Sequence, residues 1–403
     1  MTASSGRRGG KVKVALYEPT PGGHRPIYLR RIIETLAPTA DVVVAVCNET
    51  IDPIADLPVE IVPLGPYVPQ PDGIRGKELR ELRDAEVAQF YGVSAAADHG
   101  IHLFADALMG RLWRSPPAPT AISTLVFFPR AHYPRQYASP LTTRERLASF
   151  VREQQLSRWR RRADAHVVWT LDEGAAKLWA RDAGAEAVWF PEPPVTAAHV
   201  DQSSGREGCA LYGSLAARKG IDLLARALSL ERTSIHVTLA GGIAPRFRDE
   251  LDRHIATMRS TGVQVDLRGR SHSEAEGLQV LAGARCAVLP YPRHTGMSRV
   301  MLEAASVGTP LVVNQYGLLG HLTRTHGLGL AVDVTNPRAL RRAILELCED
   351  GDRAASYKPA LDWFARRYTS QGFRQALLGP LGLLAPPNAV AAPEPGAQVG
   401  TFA

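Results

Sequence analysis

The residue types best placed to do chemistry gather in residues 286–313, CAVLPYPRHTGMSRVMLEAASVGTPLVV. Glu303 is the one carboxylate among Val300, Met301, Leu302, Ala304 and Ala305. On the inner side of a helix a carboxylate is costly unless it accepts hydrogen bonds, and vicinal hydroxyls of a ligand are suitable donors; on the outer side it is an ordinary solvated residue. His294 and Thr295 stand ahead of it with an imidazole and a hydroxyl, and the backbone N–H groups of Gly296, Met297 and Ser298 open a helix N-terminus that would face an anion. A second cluster, YGSLAARKG over residues 212–220, puts Ser214, Arg218 and Lys219 on one loop. Two cations and the following helix N-terminus make either a diphosphate clamp or a charged surface loop. Gly22 and Gly23 let backbone amides approach a phosphate, or simply make a turn, with His24 beside them. His132 follows an apolar run, and a lone histidine is structural or solvated as readily as functional.

These residues need a scaffold, and the hydrophobic pattern describes one. Residues 287–290 read as a strand, 292–297 as a loop, a helix starts near Ser298, and Gly308-Thr309-Pro310 turns into a further strand. In an open parallel sheet, ligands bind beyond the carboxyl ends of strands, which is where that loop falls. The first half alternates strands at 11–18, 41–47, 99–105, 123–128 and 165–170 with helices at 28–37, 76–90, 106–113, 144–162 and 172–181. Residues 52–71, rich in proline, are expected to be extended. Pro191, Pro193 and Pro194 and the polar stretch 201–207 mark a linker at about 191–207. The rhythm then restarts, with strands at 208–212, 235–240 and 263–268 and helices at 220–229, 246–260 and 273–282. Two doubly wound parallel sheets facing a cleft are the expected α/β architecture. Helices are expected at 337–349 and, with a break near 369–372, at 359–378.

The segment from Glu303-Ala304-Ala305 to Gly308-Thr309-Pro310 resembles the donor-binding signature of retaining, nucleotide-sugar-dependent glycosyltransferases of the GT-B fold, most like glycosyltransferase family 4. The family pattern is Glu, seven residues, Glu, then small residues and Gly-x-Pro; the first Glu would fall at Thr295 and is absent. The resemblance implies that Glu303 holds the donor ribose. It also implies that the place of Thr295 lies near the sugar, where His294 could take over a hydroxyl contact. The family's Gly-Arg-x-x-x-x-Lys-Gly corresponds to Gly213-Ser214 through Lys219-Gly220, so Lys219 matches, Ser214 replaces the arginine, and Arg218 stands next to the matching lysine. Gly269 and Arg270 fall in the resembled base-recognition loop, Gly22 and Gly23 in the loop facing the diphosphate and acceptor, and His132 in the loop that often carries a functional histidine. A nucleotide-diphosphate sugar, UDP- or GDP-linked, is implied as substrate, with no cofactor and no metal.

Composition bounds the rest. The chain has 403 residues, 45% hydrophobic and 22% charged, as a globular protein of two ordinary domains would. The expected division is 1–195 for the acceptor domain, 196–360 for the donor domain, 361–380 for helices crossing back, and a disordered tail at 381–403. The polar, basic amino end runs straight into a strand and no apolar run nears the ~20 residues of a membrane span, so a cytoplasmic protein is expected. The four cysteines have neither zinc nor disulfide-framework spacing and read as reduced and mostly buried. The net charge of +7 favours anionic partners, but no motif for nucleic acid is present. The run from Arg158 to Arg162, with Trp159 inside it, is either a solvated helix end or a dock for an anionic membrane face or lipid-linked acceptor. The expected function is retaining, metal-independent transfer of a sugar to an acceptor that the sequence does not identify. The missing Glu and Arg motivate a non-catalytic nucleotide-sugar-binding protein as the alternative, and an epimerase or hydrolase as a third reading.

Overall fold

The computed structural model describes residues 11–21, 25–68, 74–127, 129, 142–195, 200 and 205–384. Gly22, Gly23, His24 and His132 lie outside the described residues, as does most of the expected tail.

Apolar, β-branched runs form the strands of two sheets. The first holds β1 (Val12–Glu18), β2 (Ala40–Val46), β3 (Glu60–Pro63), β4 (His99–His102), β5 (Ala121–Val126), β6 (Ala165–Thr170) and β7 (Glu186–Trp189), in the order β3-β2-β1-β4-β5-β6-β7. The second holds β8 (Cys209–Tyr212), β9 (His236–Ala240), β10 (Gln264–Arg268), β11 (Cys286–Leu289), β12 (Leu311–Asn314) and β13 (Gly329–Val332), in the order β10-β9-β8-β11-β12-β13. Every pairing among them is parallel. Central strands such as β2 and β12 are buried on both faces, which explains their near-continuous apolar sequence. In each sheet the strand order reverses once, between β1 and β4 and between β8 and β11. At such a switch point the loops diverge to opposite faces and leave a crevice.

The structure departs from the sequence reading in several places. Residues 52–71 are not simply extended: a 3-10 turn at Asp52–Ile54 precedes β3, whose Pro63 is tolerated because β3 is an edge strand. The helix expected at 106–113 is a 3-10 turn, Ala105–Ala107, followed by one helical turn, Met109–Leu112. The basic run at 158–162 is only partly solvated: Arg158 and Arg161 are exposed, but the residues between and after them are not free. Trp159 is fully buried, Arg160 gives both Nε and Nη2 to the Ala185 carbonyl, and Arg162 pairs with Asp164 at 2.8 Å while donating to the carbonyls of Leu112 and Pro116. Cys209 and Cys286 are buried, and Cys286 Sγ lies 3.8 Å from Cys348 Sγ. No described helix is long and apolar enough to cross a membrane.

The last described helix, Ser370–Leu378, packs against the first sheet. Trp169 Nε1 on β6 donates to the Ala376 carbonyl at 2.8 Å, His166 Nε2 meets the Pro380 carbonyl at 3.0 Å, and the Phe373 ring lies 4.8 Å from that of Phe190.

Candidate active site

A cavity of about 510 Å³ opens between the two switch points. The first half of the chain lines it with Arg25, Tyr28, Phe104, Phe127 and Leu171, and the linker with Glu192. The second half contributes Arg218, Lys219, residues 291–295 and 297–299. The loops after β8 and β11 meet here because the chain allows a very close approach. Gly220 has φ +69°, and a Cβ there would sit 2.2 Å from the Pro290 carbonyl oxygen. Glycine alone escapes both penalties.

Lys219 is 5% exposed, and its Nζ donates to the Tyr291 hydroxyl at 2.7 Å while lying 4.1 Å from the centre of that ring. Burial, and then the neighbouring Arg218 cation, push its ammonium down to about 7; Glu303 opposes them. A buried lysine with no anion in hydrogen-bonding range among the described residues is suited to an incoming negative charge. Arg218 is exposed at the cavity wall, so the two adjacent cations approach it from inside and outside.

The 292–298 loop is pinned from behind. Asn314 Nδ2 donates to the carbonyls of Tyr291 and Pro292 at 3.1 and 3.2 Å. The Leu318 amide donates to Thr295 O at 3.0 Å. Gly317 permits this at φ +82°, since a Cβ there would come within 2.7 Å of the His294 carbonyl. His294 Nε2 contacts the Met297 carbonyl at 3.0 Å and its ring meets Tyr291 edge-on. Thr295 is 1% exposed, lines the cavity, and has no partner for Oγ1. Such an orphan costs free energy until something fills it. Ser298 stands at the N-cap position of the helix Arg299–Ser306 without a side-chain cap bond, and since Ser298 and Arg299 line the cavity, the helix's amino end adjoins it.

Beneath that helix end lies a buried charge cluster that the sequence reading did not anticipate. Arg299, 2% exposed, gives Nη2 to Glu274 Oε1 at 2.6 Å and Nη1 to the Pro193 carbonyl at 3.0 Å. Its Nε lies 3.3 Å from Glu303 Oε1, and Nη1 lies 3.8 Å from Glu192 Oε2. One guanidinium thus faces three carboxylates. Burial pushes Glu303 up to about 7 against the pull of Arg299, and burial raises Glu192 as well. Glu303 is 4% exposed with Oε2 unpartnered, so the solvated-helix reading is excluded. Its unpartnered oxygen is buried behind Arg299 and does not line the cavity.

Of the residues singled out from sequence, Arg218, Lys219, His294, Thr295, Met297 and Ser298 line the cavity together. Gly296 is buried within their loop, and Glu303 sits one helical turn behind Arg299. Ser214 is exposed and not among the lining residues. Gly269 and Arg270 are exposed outside the cavity, where Arg270 pairs with Glu276 at 2.6 Å. Missed were Tyr291, Arg299, Glu192, Arg25, Phe104 and Phe127. The Arg299 to Glu303 spacing of four was a readable signal for a helical ion pair. Among the described residues no group of His, Cys, Asp or Glu is arranged to hold a metal ion.

Residues 207–350, which include β8 to β12 and the whole second-half wall of this cavity, match the family described as "Glycosyl transferases group 1". They are a group 1 glycosyltransferase domain. No curated protein matches the chain. Among solved structures, Anabaena Alr3699/HepE in complex with UDP and glucose superposes with a TM-score of 0.66 at 16% identity, over 93% of this chain and 100% of that one. Sucrose-phosphate synthase from Thermosynechococcus elongatus gives 0.61 at 18%, over 92% and 98%. A glycosyltransferase from Rickettsia africae gives 0.61 at 10%, over 92% and 99%. These likenesses run through both sheets, and the fold is GT-B. The glycosyltransferase domain supplies the cation pair, the pinned loop and the Arg299 cluster, and the opposite wall comes from the first sheet and the linker.

Proposed function

We propose that the chain transfers a sugar from a nucleotide-diphosphate sugar to an acceptor bound on the first-sheet side of the cleft, with retention at the anomeric carbon and without a metal. The observation that carries this reading is the convergence of Lys219, Arg218 and the amino end of the Arg299–Ser306 helix on one cavity of a group 1 glycosyltransferase domain. As the bond from the anomeric carbon to the diphosphate breaks, negative charge builds on the leaving oxygen. Two cations and a helix dipole stabilise that charge without reorganising. The ribose role of Glu303 rests on the family resemblance, and Thr295 Oγ1 and His294 face the sugar in this arrangement. The UDP in the Anabaena structure supports uridine as the base to try first.

Incubating the protein with a panel of nucleotide sugars and following donor consumption tests the reading. Transfer, or slow hydrolysis of one donor that Lys219→Ala abolishes, is expected. A panel in which no donor is bound or consumed would overturn it.

The non-catalytic reading is favoured by Thr295 at a place where the resembled family has a carboxylate, and by Arg299 already occupying Glu303. Calorimetric donor binding without turnover across a broad acceptor panel would select it.

A further inference from the structure

The helix Thr143–Arg160 carries large apolar residues on its exposed side as well as its inward one. Its inward side holds Ser149, Leu156, Trp159 and Arg160, while Leu147, Phe150 and Val151 are 63%, 56% and 43% exposed. At 100° per residue, Arg144, Leu147, Val151, Gln154 and Arg158 form one stripe, with Phe150 beside Leu147. The helix has only two acidic residues, and neither serves the outer face. Glu145 closes the capping box with Thr142 and pairs with Arg293, and Glu153 accepts from Trp179 Nε1. The exposed charges of the helix are therefore Arg144, Arg146, Arg152 and Arg158, all positive.

From this face we infer a docking site for an anionic phospholipid bilayer. Three apolar side chains projecting between arginines suit the boundary between acyl chains and negative headgroups. The same arginines argue against a second copy of this chain, which would bring like charges together across a symmetric contact. The contiguous apolar side chains argue against nucleic acid. The face also adjoins the cleft: Arg293 Nη2 lies 3.0 Å from Glu145 Oε2 at the start of the helix, and Arg293 lines the cavity. A bilayer held there lies beside the cavity mouth. This surface shares only Arg158 with the run suggested by the sequence, since Trp159 is buried and Leu147, Phe150 and Val151 take its place.

The test is co-sedimentation of the full chain with vesicles of phosphatidylglycerol and phosphatidylcholine, against vesicles of phosphatidylcholine alone. Binding to the anionic vesicles alone, weakened by salt, is expected. A triple variant, Leu147→Ser, Phe150→Ser and Val151→Ser, is expected to lose about tenfold or more in binding. Arg144→Gln with Arg152→Gln is expected to reduce binding while leaving the apolar residues in place. Because all five side chains are exposed, the circular dichroism melt and UDP binding without vesicles serve as folding controls and are expected to stay unchanged. Absent or charge-independent binding by the native chain, or undiminished binding by the triple variant, would overturn the inference. So would a native dimer, seen by sedimentation equilibrium, that the triple variant dissolves. Loss of donor turnover alone would count against the transferase reading and leave this one standing.

Discussion

Arg299 Nε and Glu303 Oε1 lie 3.3 Å apart, four residues apart on one helix and both more than nine-tenths buried. The same guanidinium reaches Glu274 and the Pro193 carbonyl, so it ties its own helix to a neighbouring helix and to the linker.

Arg299→Met is therefore expected to destabilise the fold by about 3–5 kcal/mol, because it strands buried carboxylates without their cation. Urea unfolding of the variant measures this. A loss below about 1 kcal/mol would mean the cluster relaxes into water and is not a structural staple.

Lys219 predicts a proton-linked donor site. Its ammonium sits at about 7 in the empty protein, and a bound diphosphate would favour the charged form. At pH 8, UDP binding is expected to take up a proton, and affinity is expected to fall by up to about tenfold per pH unit above 7. Calorimetry in two buffers of different ionisation enthalpy reads the uptake directly. Buffer-independent heats would remove Lys219 from the diphosphate.

Glu303 predicts a slope in stability against pH. A carboxyl raised from 4.5 to about 7 in the folded chain binds more protons folded than unfolded between those values. Its contribution to stability is therefore fully present below 4.5 and is lost as pH rises through about 7. Denaturation midpoints between pH 5 and 7.5 should fall less steeply for Glu303→Gln than for the native chain. An equal slope in both would place the titration elsewhere, with Glu18, also buried and raised to about 7, as the next candidate.

Thr295 separates a substrate contact from mere packing. Thr295→Val removes the unpartnered hydroxyl at nearly constant volume, so stability is expected to hold or rise while kcat/KM with the native donor drops about tenfold. Thr295→Glu would bring a further carboxylate into a cavity already backed by three, and is expected to lower the native-donor rate. Initial rates with several donors decide; a native-donor rate that rises with Glu would refute the view that this site is adapted to threonine.

Much of the scaffold was legible because parallel strands buried on both faces write themselves as apolar runs: the expected strand at 165–170 is β6 itself. The helix of Arg299 was legible through Ser298 and the small residues after Glu303. The Tyr291 phenol was not, since a tyrosine after a strand gives no sign of which lysine, 72 residues away in sequence, will reach it. Glu192 was hidden for the opposite reason. Proline-rich surroundings read as a linker, and only the folded chain shows that the linker's carboxyl group faces the cavity between Tyr28 and Arg299. Trp159 misled because its arginine neighbours suggested solvent, whereas Arg160 and Arg162 spend their charge on backbone carbonyls.

The return of the final helix to the first sheet sets an order of events at the ribosome. Leu377, Leu378, Leu381 and Leu383 belong to the same buried core as Val14, Leu16 and Leu29. The half of the protein made first cannot complete its core until the end of the chain has emerged. Until then β6 presents an indole N–H and apolar surface without their partners, so the newly made amino-terminal half must wait, exposed, for the glycosyltransferase domain to be synthesised. A stop codon near residue 370 would thus damage the domain farthest from it in sequence.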